Sequence, residues 1–332
     1  MEQQRQAKGL LYSELRGARV FITGGTGFVG TWLLESLASA DDELHLGVNA
    51  TVITRNPEGF ASKAPHLATH RSITLLEADA CTFPFPEGEF PFVIHAATER
   101  HFNSVPEHPL GTFDRDIKAT RRVLEFARTH GTKRLLFTSS GAMYGKQPPE
   151  LTHIPEDYAG APGTMDVQSA YGQAKRVSEW MCAMYAAQYG FDALIARLFA
   201  FVGPHLPLDA NFAVGNFIRD AMQGGPIRIA GDGTPYRSYL YAADLALWLW
   251  TILLKGESCR PYNVGSGEAI TISELAKMMG CEVEIARQPV PGAAPARYVP
   301  SVERAEKELG LRPLVGLEEG IRRTRAWHEA KR

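Results

Sequence analysis

Cysteine is scarce in this chain of 332 residues, which contains only Cys81, Cys182, Cys259 and Cys281. No two of them are spaced as Cys-x-x-Cys, and no histidine cluster lies near them in the sequence. This distribution argues against a framework of disulfide bonds and provides no zinc-binding pattern. We therefore expect reduced thiols, a cytoplasmic protein and a site without a bound metal.

An excess of basic residues is also lacking, because 35 Lys and Arg side chains are balanced by 37 Asp and Glu and the formal net charge is -2. Proteins that bind nucleic acid or an anionic membrane normally carry a basic surplus or stripe, so neither partner is expected. No run of eighteen uninterrupted apolar residues occurs, and residues 1–8 are polar. The sequence therefore predicts a soluble protein without an export signal or a membrane span.

Glycine, in contrast, is concentrated directly after an apolar run at residues 19–23 and before a helical pattern. Gly25, Gly27 and Gly30 have the spacing Gly-x-Gly-x-x-Gly, while Gly24 gives the longer Gly-x-x-Gly-x-x-Gly spacing. A strand, a glycine loop and a helix bring backbone N–H groups and a helix N-terminus to one point, where a pyrophosphate binds. We predict a dinucleotide site; a glycine-rich turn that binds nothing is the alternative.

Apolar runs typical of strands alternate with helical patterns along the first 200 residues. This alternation predicts an α/β fold, a Rossmann doubly wound parallel sheet with ligands at the carboxyl ends of its strands. Strands are predicted at 19–23, 50–55, 73–79, 92–97 and 134–140, and helices at 32–40, 112–129 and 170–189.

The remaining sequence is predicted to build a smaller C-terminal substrate lobe that is interleaved with the Rossmann domain along the chain. Its expected elements lie at 212–223, 227–229, 272–279, 283–285 and 317–328, whereas residues 237–241 and 244–254 return to the sheet domain. We expect residues 18–200 plus 237–267 to bind the cofactor and 201–236 plus 268–330 to bind the substrate, with the active site in the cleft between them. Residues 1–17 would form an extension or a short packing helix.

Arg55 follows the second predicted strand, where a Rossmann domain contacts the adenosine ribose. An acidic residue at this place pairs with the 2′-hydroxyl of NAD, whereas an arginine accommodates the 2′-phosphate of NADP. The sequence therefore predicts that NADP(H) is preferred, with NAD(H) as the alternative if Arg55 is only a solvated loop residue.

Tyr171 and Lys175 are four residues apart in a predicted helix, so they share one helical face. A nearby ammonium and the positive charge of a nicotinamide both favour a phenolate, so we expect the pKa of Tyr171 to lie below about 10. Such a tyrosine exchanges a proton with a substrate oxygen. Ser140 ends the fifth predicted strand and completes the candidate catalytic group; an ordinary exposed helix pair is the alternative.

These motifs resemble those of the extended short-chain dehydrogenase/reductases, in particular the NAD(P)-dependent nucleotide-sugar epimerase/dehydratase family. The resemblance covers about residues 18–328. It is carried by Thr23 to Gly30, Ser140, Tyr171 and Lys175, then by Arg197-Leu198-Phe199, Gly203-Pro204, Asn216-Phe217-Ile218, Gly231-Asp232-Gly233-Thr234, Arg237-Ser238-Tyr239, Asp244 and Tyr262-Asn263-Val264-Gly265.

The resemblance implies a nucleotide-diphosphate sugar as substrate and assigns a role to each matching residue. The implied catalytic residues are Ser140, Tyr171 and Lys175, of which Ser140 also contacts the reacting sugar oxygen. The implied cofactor-binding residues are Thr23, Gly24, Gly27, Phe28, Val29, Gly30, Arg55, Asp79, Ala80, Ala96, Ala97, Thr98, Tyr171 and Lys175. Asn216, Arg237 and Arg297 would hold the diphosphate of the substrate, since guanidinium groups suit phosphate oxygens.

The chain departs from the family where the reactions of its members diverge. Family dehydratases carry Asp-Glu after the Ser or Thr that ends strand five, and decarboxylases carry a Glu, whereas this chain has Gly141 and Ala142. Neither residue transfers a proton, so dehydration is disfavoured unless Glu99, His101 or His153 supplies the missing groups. Ala200 and Asp116 also replace asparagines usual in the family, which affects the expected phosphate contacts and helix packing.

With Arg55 favouring NADPH, the leading hypothesis is NADPH-dependent reduction of a 4-keto sugar nucleotide, in which Tyr171 supplies the proton. The alternative is an epimerase, of the C4 type, that retains its cofactor and uses the same residues. A dehydratase that uses other acid/base residues is a more remote alternative. A non-catalytic NADPH-binding regulator is also remote, because a regulator has no need of the Tyr171/Lys175 pair.

The helices at 112–129 and 170–189 are those that the family uses for dimerisation. Trp180, Met181, Met184 and Tyr185 make the second helix apolar on more than one face. We therefore expect a homodimer, with burial inside a monomer as the alternative.

Overall fold

The computed structural model describes residues 11–98, 108–210 and 212–331. Within them, seven parallel strands form a central sheet: β1 (Arg19–Thr23), β2 (Asn49–Thr54), β3 (Ile73–Glu77), β4 (Phe92–His95), β5 (Arg134–Ser140), β6 (Asp192–Leu198) and β11 (Pro261–Val264). Their order across the sheet is β11-β6-β5-β4-β1-β2-β3. Their carboxyl ends share one edge, as the Rossmann prediction requires.

Helices cover both faces of this sheet, which explains why its strands are continuous apolar runs rather than alternating ones. One face packs on α1 (Phe28–Leu44) and α7 (Ala242–Lys255) and forms the main core, in which Trp248 and Trp250 are fully buried. The other face packs on α4 (Pro109–Thr129) and α5 (Ala170–Tyr189). The short helices α2 (Pro57–Lys63) and α3 (Pro65–Ala68) connect β2 to β3.

Small sheets and short helices after β6 form a third apolar cluster of their own. The strands are β7 (Phe201–Val202), β8 (Ile227–Ile229), β9 (Tyr236–Arg237), β10 (Leu240–Tyr241), β12 (Ile270–Thr271), β13 (Val283–Ile285) and β14 (Arg297–Tyr298). The helices are α6 (Ala213–Met222), α8 (Ile272–Lys277) and α10 (Leu317–Glu329). Ala305 of α9 (Glu303–Leu309) belongs instead to the apolar cluster that contains Trp248 and Trp250.

Residues 237–241 do not join the central sheet, contrary to their expected return to the sheet domain. Arg237 belongs to β9, which pairs with β12 and β14 in a three-stranded sheet, while Leu240 belongs to β10 and pairs with β7. The short strands are set by these cross-strand partners, which lie far away in the sequence.

The first described residues are part of the main core. Tyr12 and Leu15 are fully buried, and the Tyr12 ring lies 5.9 Å from the ring of Trp250. A short 3-10 helix at Ser13–Leu15 leads directly to β1. Within the ranges described, no helix combines the length and apolarity needed to span a bilayer.

Candidate active site

The glycine-rich turn from β1 into α1 is packed so closely that no side chain fits at Gly24 or Gly30. Gly24 has a φ of +72°, and a Cβ added there would lie 2.4 Å from the carbonyl oxygen of Ala96. A Cβ on Gly30 would lie 2.3 Å from the carbonyl oxygen of Gly24. Gly27 begins α1 without a side-chain cap, and the first turn holds no acidic residue. This cradle of backbone N–H groups fits a pyrophosphate.

A buried polar group holds the other side of the loop in place. The Thr23 hydroxyl lies 2.7 Å from His95 Nδ1 and accepts a hydrogen bond from the Ala97 N–H at 3.2 Å. Burial, helped by the charge of Lys175, lowers the pKa of His95 to about 3, so its ring stays neutral. Thr23, Ala96 and Ala97, all predicted cofactor contacts, therefore meet at one rigid point.

The residues predicted to contact the adenosine end of the cofactor differ in whether their side chains already have hydrogen-bond partners within the protein. Arg55 is exposed directly after β2. Asp79, by contrast, accepts hydrogen bonds from the Cys81 N–H at 2.8 Å and from Arg115 at 3.0 Å. Although partial burial opposes it, these hydrogen bonds lower the pKa of Asp79. One carboxylate oxygen of Asp79 thus stabilises the turn after β3, beside Ala80, and the other binds Arg115 of α4.

The first turn of α1 carries two further predicted cofactor contacts. Phe28 and Val29 are only partly buried and pack against the main core, and Phe28 also contacts the third cluster. Their side chains therefore orient α1, while their backbone belongs to the cradle.

The three predicted catalytic residues are brought together at the end of β5. The Tyr171 phenol is hydrogen-bonded to the hydroxyls of Ser140 and Thr98. Lys175 is buried, and its Nζ donates to the carbonyl oxygen of Thr138 at 3.1 Å and lies 5.6 Å from the centre of the Tyr171 ring. Since Thr98 directly follows Ala97, this cluster adjoins the cradle.

The prediction that the pKa of Tyr171 lies below about 10 is wrong for the environment that the protein's own groups create around the phenol. Burial raises the pKa of Tyr171 to about 12; the hydrogen bond with Ser140 opposes this rise, and the charge of Asp116 adds to it. A hydrogen bond donated by Thr98 to the phenolate acts in the lowering direction. Burial also lowers the pKa of Lys175. A helical spacing gives proximity, but it does not show how deeply the phenol is buried.

Tyr298, on β14, is a candidate site residue that sequence reasoning missed. Its hydroxyl is hydrogen-bonded to Ser140, and burial raises its pKa. A Cβ added to Gly141 would lie 2.8 Å from this hydroxyl and 2.7 Å from the Phe199 ring. The two rings therefore fill the space that a side chain at position 141 would take. The glycine at 141 was the available sequence signal, although it does not identify which ring approaches.

The predicted substrate residues fall into two groups. Arg237 and Arg297 lie on the adjacent strands β9 and β14, and the Arg237 guanidinium is 6.0 Å from the centre of the Tyr298 ring. Arg297 stacks on Tyr236 at 4.0 Å. The amide of Asn216, oriented to satisfy its hydrogen bonds, donates to carbonyl oxygens in the loop at residues 208–210, so its side chain fixes that loop.

Of the three residues considered as substitute acids for dehydration, only His153 lies within the described residues. His153 Nε2 lies 2.8 Å from the carbonyl oxygen of Gly267, and Glu99 and His101 lie outside the described residues. Within the described part of the chain, no three His, Cys, Asp or Glu side chains are grouped so that they could hold a metal ion.

Comparison with known proteins identifies the family of this chain. Residues 20–265 match the family described as NAD dependent epimerase/dehydratase. The chain is 30% identical over 316 residues to UDP-glucuronic acid decarboxylase 1 of Danio rerio, an alignment that covers 94% of this chain and 73% of that protein.

Two solved structures share the fold. UDP-glucose 4-epimerase from Thermotoga maritima, solved with UDP-glucose, has a TM-score of 0.79 and 23% identity over 94% of this chain and 99% of its own. A UDP-glucuronic acid 4-epimerase variant from Bacillus cereus, solved with NAD and UDP-4-deoxy-4-fluoro-glucuronic acid, has a TM-score of 0.80 and 20% identity over 95% and 100%. The predicted Rossmann fold is confirmed, and the chain belongs to the NAD-dependent epimerase/dehydratase family of extended short-chain dehydrogenase/reductases.

Proposed function

We propose that this protein is an epimerase that inverts a secondary alcohol carbon of a UDP-sugar and keeps its nicotinamide cofactor between turnovers. The observation that carries the proposal is the cluster of Ser140, Tyr171 and Lys175 next to the glycine cradle. The solved epimerases support the substrate class, since they hold UDP-glucose or a UDP-glucuronic acid analogue. The epimerase alternative fits these relatives better than the leading hypothesis of net reduction, which has no such support.

In the proposed reaction, the glycine cradle would hold a nicotinamide dinucleotide, which would supply reversible hydride exchange with the sugar carbon. Tyr171 removes the proton of the sugar hydroxyl and later returns it to the same oxygen. Ser140 holds that oxygen, because its hydroxyl is already in contact with the phenol. Lys175 would hold the cofactor ribose and keeps its ammonium beside the Tyr171 ring.

The same proposal divides the molecule into a cofactor lobe around the central sheet and a substrate lobe built from the small sheets. Arg237 and Arg297, on adjacent strands, would bind the diphosphate of the UDP-sugar. Tyr298 joins this sheet to Ser140 through its hydroxyl. The sugar would then lie between the arginines and Tyr171.

Gly141 and Ala142 favour epimerisation over dehydration or decarboxylation. Both alternatives are associated in the family with a carboxylate at these positions, and these two residues carry none. The Tyr298 hydroxyl and the Phe199 ring occupy the space next to Gly141. A carboxylate side chain that moved from elsewhere in the chain into the space beside Gly141 would have to displace these rings.

The test is incubation with UDP-glucose, UDP-glucuronic acid and UDP-N-acetylglucosamine, followed by NMR of the products and measurement of NADPH. We expect one substrate to reach equilibrium with its epimer without net NADPH change. Release of carbon dioxide with a UDP-pentose product, or stoichiometric NADPH consumption with a 4-keto sugar nucleotide, would overturn the proposal in favour of decarboxylation or reduction.

The preference for NADP(H) remains a prediction that depends on Arg55. Its exposed guanidinium, at the end of β2, is available to a 2′-phosphate. We expect Arg55→Ala to weaken NADPH binding by about 10-fold, the loss of one charge-assisted contact, and to change NADH binding little. Fluorescence titration of both cofactors measures the difference; equal losses, or tighter binding of NADH by the unmodified protein, would contradict it.

We also propose a homodimer formed through α4 and α5. Met181 and Tyr185 face the core, whereas Trp180 on α5 and Leu110 on α4 are 64% and 72% exposed. These apolar side chains are suited to burial by a second copy of the chain.

Replacing Trp180 by Glu is expected to convert the dimer into a species near 36.5 kDa, because a charge would be buried in the interface. Sedimentation measures the change, with Leu314→Glu, on an exposed apolar residue outside these helices, as the control. An unmodified protein that sediments as a monomer would refute the dimer.

A further inference from the structure

A buried carboxylate that the proposed mechanism does not use lies behind the acid/base tyrosine. Asp116, on α4, is only 6% exposed. Its two oxygens lie 3.2 and 3.4 Å from the Thr98 hydroxyl, which donates to them. The same Thr98 side chain is hydrogen-bonded to the Tyr171 phenol. Thr98 therefore stands between a carboxylate and the phenol that exchanges protons with the substrate.

The direction of the hydrogen bonds follows from the chemistry of the three groups. A threonine hydroxyl has one proton, and an ionised carboxylate only accepts. When Thr98 donates to Asp116, it has no proton left to donate to Tyr171, so its oxygen faces the phenol as an acceptor. A phenolate gains no hydrogen bond from such a partner, whereas a protonated phenol does.

We propose that Asp116 is a positioning residue for Tyr171: its carboxylate takes the Thr98 proton and so withholds from Tyr171 a hydrogen bond that would stabilise the phenolate. The proposal rests on the acid/base role of Tyr171 in the proposed function. Asp116 thereby raises the pH at which Tyr171 begins to accept the proton of a sugar hydroxyl.

The other ionisable groups around the cluster do not replace this effect. They lie on the elements packed against it: Lys175, Glu179 and Cys182 on α5, His95 on β4, and Tyr298 and Arg237 in the three-stranded sheet. Glu179 is paired with Arg197 at 2.7 Å, and His95 is neutral. The charge of Asp116 itself raises the pKa of Tyr171, in the same direction as the withheld hydrogen bond.

The test measures the titration midpoint of Tyr171 by NMR of the protein labelled at its tyrosine ring carbons, with the resonance assigned by Tyr171→Phe. We expect Asp116→Asn to lower this midpoint by roughly one pH unit, because it removes a negative charge and frees the Thr98 proton for the phenolate. The rising limb of kcat/KM for substrate oxidation should move to lower pH by the same amount. Asp114→Asn, an exposed carboxylate on the same helix, is the matched control and should move neither.

The same substitution made in a protein that already carries Thr98→Val tests the part played by Thr98. In Thr98→Val protein, Asp116→Asn should lower the midpoint by less than half as much. An unchanged midpoint in Asp116→Asn, or equal decreases in both backgrounds, would overturn the proposal. Should the Asn protein not fold, Asp116→Ala also frees the Thr98 proton and replaces it in the test. Full epimerase activity in Tyr171→Phe would instead reject the proposed function, which the titration midpoint does not report.

Discussion

Replacing Tyr171 by Phe is expected to lower kcat for epimerisation by about 10³-fold while leaving KM within about threefold, since general acid/base catalysis contributes roughly 10² to 10⁴. The ring would still fill its place near Lys175, but the proton of the sugar hydroxyl would have no acceptor. Steady-state kinetics with the UDP-sugar identified by product NMR measures the loss.

Tyr189→Phe is the matched control for this experiment. Tyr189 lies on the same helix as Tyr171, but it is 43% exposed and far along the chain from the cluster. Its variant should retain the kcat and KM of the unmodified protein. A loss of kcat in Tyr171→Phe smaller than about tenfold would mean that another group exchanges the proton.

Gly24→Ala is expected to destabilise the protein by at least about 3 kcal/mol and to abolish measurable cofactor binding. An alanine at positive φ costs roughly 1 kcal/mol, and its Cβ would also collide with the backbone of Ala96. Because that backbone is held by β4 and by Thr23, it cannot move without opening the cradle. Chemical unfolding and cofactor titration measure the two effects.

Gly47→Ala separates the collision from the cost of the dihedral angle. Gly47 has a φ of +63°, but a Cβ added there meets no atom within 4 Å. Its variant should lose only about 1 kcal/mol of unfolding free energy and keep its cofactor affinity. Equal losses of stability in the two variants would contradict the close packing of the cradle.

The parts of the molecule that the sequence predicted are those specified by neighbouring residues. The glycine loop is local, and Tyr171 and Lys175 are four residues apart in one helix, so their placement needs only the strand and helix patterns. β5 begins and ends as predicted, whereas β3 and β4 end two residues early. At Asp79, the carboxylate turns back to the Cys81 N–H, which ends the extended run.

The features that sequence reasoning missed depend on contacts between distant segments. Tyr298 reaches Ser140 only because β14 pairs with β9, and no periodicity predicts a two-residue strand. Asp116 departs from the asparagine usual in the family, but its contact with Thr98 depends on how α4 packs beside β4. The raised pKa of Tyr171 likewise follows from burial, and the spacing of Tyr171 and Lys175 does not indicate how deeply the phenol is buried.

The most direct test of the proposed function is epimerisation in deuterium oxide, with mass spectrometry of the product and measurement of the cofactor. We predict that the inverted carbon keeps the hydrogen of the substrate, that no deuterium enters it, and that the amount of NAD(P)H is unchanged. Deuterium at the inverted carbon would show that a proton, rather than hydrogen held by the cofactor, is exchanged there. One NADPH consumed per product would show net reduction, and either result would contradict the proposed function.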